Sequence, residues 1–257
     1  MNKTLKLILT TCAAALASQA LAWNTIGHEA IAIIAEQNLS SKAKSEAETI
    51  LGCSLKSAAV EAAKSEGFVI TRVGEDMHST TTCEKDAVVR LEKAVKILEN
   101  RTLQSAEALS AALRTIIHLT AELHCPGHIA IEGKEDNFAF KYNNGRFPDS
   151  RFYRTTDSSW QKFWDVEYFR RHEGYSADMY AYDSSIFARN RKEQLRGGTP
   201  REWVEQIASE SAPIRQHFAQ TEVVERVYVN GIEEQFDTNV ARSGLRLAAL
   251  LDTLLGK

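Results

Sequence analysis

The first chemical signal is a pair of residues four apart: His118 and Glu122 fall on the longest stretch of helix-periodic apolar residues. That spacing sends both side chains from one helix face. His128 follows just past Pro126-Gly127, where such a helix must end. An imidazole, a carboxylate and a second imidazole around one helix terminus suit zinc, which takes neutral ring nitrogen and carboxylate oxygen together. The plain alternative is a solvated His–Glu pair on a helix surface. Apolar neighbours at Ile116, Ile117, Leu119 and Leu123 argue against a wet face. So does the clustering of histidines: five of the seven, at His28, His78, His118, His124 and His128, lie in the first half of the 257 residues.

Helical spacing of apolar residues marks the elements that must hold these groups. Segments are expected over 27–37, with Ile31, Ile34 and Ala35 inward, and over Ser41 to Leu51, closed by Gly52. Glu84 to Asn100 places Val88, Leu91, Val95 and Leu98 on one face, and Leu103 to Leu123 carries Leu109, Leu113, Ile116, Ile117 and Leu119. A β-prone stretch, Asn137 to Tyr142, is turned by Asn143-Asn144-Gly145. Helical patterns resume over 158–170, 200–220 and 240–255. In the last, Leu245, Leu247, Ala248, Leu250, Leu251 and Leu254 are expected to pack while Arg242, Arg246 and Asp252 stay wet. The fold class expected is all-α: one compact multi-helix domain, residues 23–257, with a short β-hairpin and long loops.

Composition agrees, at 44% hydrophobic and 25% charged residues with only 4 Pro. It excludes a disordered tail, a collagen and a strongly basic duplex-DNA binder, since the net charge is −3. Residues 1–22 read as a secretory signal peptide: Lys3 and Lys6, an apolar stretch from Leu5 to Leu16, then Ala20-Leu21-Ala22 as the cleavage site. Cleavage between Ala22 and Trp23 removes two lysines and leaves about −5. No multi-span membrane protein is expected. Cys53, Cys83 and Cys125 remain, of which two are candidates for a disulfide in an exported chain, with no pair chosen by the sequence.

The mature start Trp23-Asn24-x-x-Gly27-His28 and the run His118-Leu119-x-x-Glu122-x-His124-x-Pro126-x-His128 resemble the zinc-dependent single-strand nucleases of the S-one/P-one or mung-bean type. These are related to bacterial zinc phospholipase C. In that family the mature chain begins with Trp, a His follows five residues later, and the central run is His-Leu-x-x-Asp-x-His-Gln-Pro-Leu-His. Further matches are Met77-His78, Asn137 before a strand, Trp164-Asp165, Trp203 with Glu210-Ser211, and the closing Arg246-Leu247-Ala248-Ala249-Leu250-Leu251.

The resemblance implies an all-α fold with up to three zinc ions in a cleft. Carried over by position, the first zinc takes Glu61, His78, His118 and Glu122. Glu122 bridges to a second zinc held by the free amine and carbonyl of Trp23 and by His28. The third takes His128, Asp165 and the residue at Gln161. Lys64, at the family's Arg position, neutralises a phosphate. Two metals roughly 3.5–4 Å apart turn a bridging water into hydroxide near neutral pH and clamp phosphoryl oxygens. They also let an acidic chain hold a polyanion without a basic surface. Tyr142, Phe147, Phe152, Tyr153 and Trp160 are candidates for stacking an unpaired base, or else core and loop anchors.

The chain departs from the family at five of these positions. Glu replaces Asp at 61 and 122, Gln161 stands where the family has His, and Cys125 and Gly127 replace Gln and Leu. An amide oxygen is a poor zinc donor beside imidazole. The third zinc is therefore expected to be weak, absent or rescued by Cys125 as thiolate. His124 is read as structural, and His172 and His217 as surface residues. The expected function is an exported, monomeric zinc phosphodiesterase acting on single-stranded DNA or RNA and on 3′-nucleotides, periplasmic or secreted. The alternatives are a phospholipase C-like phosphodiesterase, or a metal-binding protein of the same fold without turnover.

Overall fold

The computed structural model describes residues 23–65, 69–145, 155–170, 172 and 174–256; residues 1–22, read above as a signal peptide, lie outside them. It is all-α apart from two small sheets. Helices α1 (Thr25–Asn38), α2 (Ser41–Leu51) and α3 (Leu55–Ser65) come first. Strand β1 (Thr71–Val73), α4 (Ala87–Glu99) and α5 (Ala106–Glu122) follow, then β2 (Ile129–Ile131), β3 (Ala139–Asn143) and β4 (Thr155–Ser159). The helical stretch 160–170 contains α6 (Trp160–Lys162), a π-turn (Phe163–Glu167) and α7 (Tyr168–Arg170). Then come α8 (Ala177–Ala188), α9 (Lys192–Leu195), α10 (Pro200–Gln220), β5 (Val223–Glu225), α11 (Arg226–Gly231) and α12 (Glu233–Leu255).

Helix ends follow the local sequence. Ser40 accepts from the Ala43 N–H at the start of α2, Gly52 closes it with φ 69°, and Thr199 with Glu202 forms a reciprocal cap on α10. Two helices depart from the periodic pattern. The inward face of α3 is Leu55 and then Ala58, Ala59, Ala62 and Ala63, and the alanines give little contrast with the polar face. Helix α8 exposes Met179, Tyr182, Ile186 and Phe187, so its apolar residues lie on more than one side.

The expected hairpin forms, but not with a tight turn. Strand β3 runs through Asn143 and pairs antiparallel with β4, so the connection spans 144–154; β3 also pairs parallel with β5. In the second sheet β1 pairs parallel with β2. Asp86 anchors it, accepting from Thr71 Oγ1 at 2.8 Å and the Arg72 N–H at 3.0 Å while capping α4. Strand β2 begins one residue after His128, so this sheet fixes that histidine from its C-terminal side.

One apolar cluster joins α2–α5 to α10 and the end of α12. The other is aromatic: Trp23, Trp160, Phe163, Trp164, Tyr168, Phe169 and Phe236 pack together with α1 and the start of α12. Tyr142 and Trp160 belong to it, and the Trp160 indole donates to Pro126 O at 3.1 Å, so neither presents a face to a base. Phe147, Phe152 and Tyr153 lie outside the described residues.

The expectation for α12 needs correction. Arg242 and Arg246 are each only 4% exposed. Arg242 is paired bidentately with Glu210 at 2.8 and 3.2 Å, and Arg246 donates to Gln206 Oε1 at 2.6 Å and Gly197 O at 2.9 Å. Buried guanidinium groups need such partners, and α10 supplies most of them.

Candidate metal centre

Helix α5 and the short turn that follows it set four potential donors. His118 and Glu122 leave its buried face, Cys125 follows the last turn, and a 3-10 turn over Pro126–His128 swings His128 back. Gly127 makes that return possible. A Cβ there would meet Gln161 Cα at 3.2 Å and Trp164 Cβ at 3.3 Å. From the other side comes Asp165, within the π-turn, a device that rotates a residue out of α-helical register. His28 enters from α1, which Trp23 pins by donating its indole N–H to Ala121 O at 2.8 Å.

These donors gather in two buried groups whose ligand atoms lie within 4.8 Å of one another: His28, His118 and Glu122, and Cys125, His128 and Asp165. In the first, Glu122 Oε1 is 3.3 Å from His28 Nε2 and 3.5 Å from His118 Nε2, and the two rings stack at 5.0 Å. In the second, His128 Nε2 is 2.9 Å and Cys125 Sγ 3.8 Å from Asp165 Oδ1. Glu122 joins the groups, because its Oε2 is 2.5 Å from His128 Nδ1.

The electrostatics follow from burial. Burial alone would raise the Glu122 carboxyl, but His128, helped by His28 and His118, outweighs it and holds the group well below the usual carboxylate range. The ionised carboxylate is an acceptor only, so His128 Nδ1 carries the proton. For His128, burial is overcome by Cys125, Asp165 and Glu122, which raise its pKa. Burial raises Asp165, against His128 and the Trp23 backbone N–H. Burial pushes the Cys125 thiol to about 11.

The donor set fits a metal. Both ring nitrogens of His28, Glu122 Oε1 and Asp165 Oδ2 are buried without a hydrogen-bond partner, an arrangement costing roughly 1–3 kcal/mol per group unless a ligand satisfies it. Tetrahedral zinc with bonds of about 2.0 Å to N and O sets donors about 3.3 Å apart. The 3.3 and 3.5 Å separations around Glu122 Oε1 match. Each group offers three protein donors, which leaves a position open for water or substrate.

Not every expected residue joins them. Trp23, His28, His118, Glu122, His128 and Asp165 converge, whereas Glu61, Lys64 and His78 face solvent. Glu61 is 62% exposed in its side chain and pairs with Arg114 at 2.6 Å, because the alanine face of α3 turns inward and carries Glu61 and Lys64 outward. His78 is 67% exposed and lies 3.5 Å from Glu205 of α10, past a turn in which Met77 takes φ 67°. Gln161 is half-buried and donates its backbone N–H to Asn137 Oδ1 at 3.0 Å. His28 and His118 address one carboxylate oxygen, where the positional carry-over put them on different ions.

The cysteines are not bridged: Cys53, Cys83 and Cys125 are all free, correcting the disulfide expected from export. Cys125 is buried against Asp165, Cys83 is exposed, and Cys53 lies 3.9 Å from Arg114 Nη2. His124 is structural, as expected. Its Nδ1 lies 2.7 Å from Thr120 O and its Nε2 3.0 Å from Arg246, and burial together with Arg246 lowers its pKa.

No helix among the described residues is long and apolar enough to cross a membrane. The profile of the family described as S1/P1 Nuclease matches residues 68–256, a span that holds His118, Glu122, Cys125, His128 and Asp165 but begins after Trp23, His28, Glu61 and Lys64. No curated protein matches the chain.

Proposed function

The chain belongs to the S1/P1 nuclease family, and from that premise we propose that it is an exported, zinc-dependent phosphodiesterase that hydrolyses single-stranded DNA or RNA and 3′-nucleotides. One observation carries the reading: two buried donor groups, each with an orphaned carboxylate oxygen, joined through Glu122. When bound, zinc supplies Lewis acidity toward the phosphoryl oxygens and lowers the pKa of water toward neutrality. His28, His118 and Glu122 would hold one ion, and His128 and Asp165 the other.

The chain's own residues prepare this chemistry. Glu122 keeps the His128 proton on Nδ1, which leaves Nε2 facing Asp165 as the donor. That is the carboxylate–histidine pairing that fixes a ligand's tautomer and ring orientation. Trp23 brings its backbone nitrogen to the Asp165 carboxylate. Cleavage before Trp23, the event read from Ala20-Leu21-Ala22, would free an α-amine at that place. Export and completion of the site would then be one step.

A second reading, a metal-binding protein of the same fold without turnover, draws on the solvent positions of Glu61, Lys64 and His78. The test is hydrolysis of denatured DNA, RNA and a phosphocholine lipid, each with and without chelator. Chelator-sensitive cleavage of the nucleic acids alone is expected. Cleavage of the lipid alone moves the substrate, and metal binding without any cleavage supports the second reading.

A further inference from the structure

The function proposed above gives the second ion to His128 and Asp165 and leaves Cys125, the third member of that group, without a role, yet its setting is not that of a core thiol. A buried cysteine ordinarily behaves as a small hydrophobe. Here Sγ lies 3.8 Å from a carboxylate oxygen, in the one group among the described residues where sulfur, an imidazole nitrogen and a carboxylate oxygen all fall within 4.8 Å. The other oxygen of that carboxylate, Asp165 Oδ2, is fully buried and has no hydrogen-bond partner. Without Cys125 the group has two side-chain donors. The sulfur lies within the same 4.8 Å and completes a set of three.

The geometry points to Cys125 as a thiolate ligand of the second metal centre, alongside His128 Nε2 and Asp165. The inference rests on the metal-dependent reading above. Bonds of about 2.3 Å to sulfur and about 2.0 Å to oxygen put tetrahedral donors roughly 3.5 Å apart, close to the observed 3.8 Å. On binding, the S–H bond breaks, its electron pair forms the bond to the dication, and the proton leaves to solvent. A sulfur donor makes the two centres unlike. The first has two imidazoles and a carboxylate; the second has one soft ligand, which favours zinc-type ions over magnesium or calcium.

Cobalt(II) tests this without relying on turnover. The chelator-stripped chain, titrated with cobalt, should develop a sulfur-to-cobalt charge-transfer band in the near ultraviolet. A Cys53→Ser, Cys83→Ser double variant should keep the band. Cys125→Ser should lose it and bind one cobalt at least tenfold more weakly. Should Cys125→Ser fold poorly, X-ray absorption of the zinc-loaded wild type answers the same question through a sulfur shell at about 2.3 Å. Cobalt bound with no charge-transfer band, a band that survives Cys125→Ser, or zinc with only nitrogen and oxygen neighbours overturns the inference and leaves the metal reading standing. No cobalt bound at all overturns both.

Discussion

Glu122 Oε2 accepts the His128 Nδ1 proton across 2.5 Å, with both side chains fully buried. The two residues are six apart, and the chain turns through Pro126-Gly127 to bring them face to face. Oε1 of the same carboxylate faces His28 and His118. One side chain thus orients the ligand of one donor group and supplies a ligand to the other, which couples them through a single short contact.

Glu122→Gln preserves shape and keeps an acceptor for His128, but removes the charge. The neutral amide is a weak metal donor, and it no longer offsets the dication held by two neutral imidazoles. Turnover should fall more than tenfold, about 1.4 kcal/mol in barrier, with loss of metal from the first group. Steady-state kinetics with metal analysis checks both. A variant that kept more than a tenth of wild-type turnover at full metal content would show that Glu122 holds neither role.

The Trp23 indole is anchored on Ala121 O and its backbone nitrogen sits beside the Asp165 carboxylate. One extra residue ahead of Trp23 converts an amine with a free lone pair into an amide without one. The extended protein should fold with an unchanged Tm in the metal-free state and lose at least tenfold in activity. Equal turnover by extended and authentic forms would remove the α-amine from the site.

Some of this was legible in the sequence and some was not. Spacing of four, set among Ile116, Ile117, Leu119 and Leu123, was enough to place His118 and Glu122 on a buried face. Helix α10 could be read to its ends because Thr199-Pro200 starts it and its apolar residues recur at helical spacing. Glu61 misled because a motif fixes position along the chain but not rotation about the helix, and a face that is alanine after Leu55 hides which side is inward. The approach of Cys125 to Asp165, 40 residues away, depends on a π-turn that periodicity does not announce. Arg242 and Arg246 read as wet because their partners, Glu210 and Gln206, sit on a different helix.

Glu210 offers a pH test on a carboxylate that belongs to neither donor group. Burial raises its carboxyl, but hydrogen bonds from Arg242, Gln235 and Gln206 prevail and hold it below its ordinary 4.5. A depressed folded pKa adds stability that is fully present above 4.5 and is lost as pH falls through the folded value. Glu210→Gln should therefore cost about 1–3 kcal/mol near neutral pH. The difference in Tm from wild type should shrink as pH falls below 4.5. A gap independent of pH would mean that shape, and not charge, makes this contact.

The crossing of α1 and α12 helps set where His28 stands, and at Gly244 the two helices leave no room for a side chain. A Cβ there would lie 2.6 Å from both Cβ and Cγ2 of Ile34 and 2.8 Å from the Ile31 carbonyl oxygen. Two effects of Gly244→Ala oppose each other. Alanine inside a helix gains roughly 0.5–1 kcal/mol over glycine. Overpacking costs about 1–3 kcal/mol, and here the neighbours are a Cβ and a main-chain oxygen, which no side-chain rotation can move. The clash should win, so Gly244→Ala is expected to lower Tm by a few degrees. Relief requires α1 to shift outward, and that shift carries His28 away from Glu122 Oε1. The variant should accordingly bind metal more weakly than its loss of stability alone explains. Thermal melts with and without zinc measure this: the stabilisation conferred by zinc should be smaller in Gly244→Ala than in wild type. An unchanged or raised Tm, with full stabilisation by zinc, would show that the crossing has room that its contact distances deny.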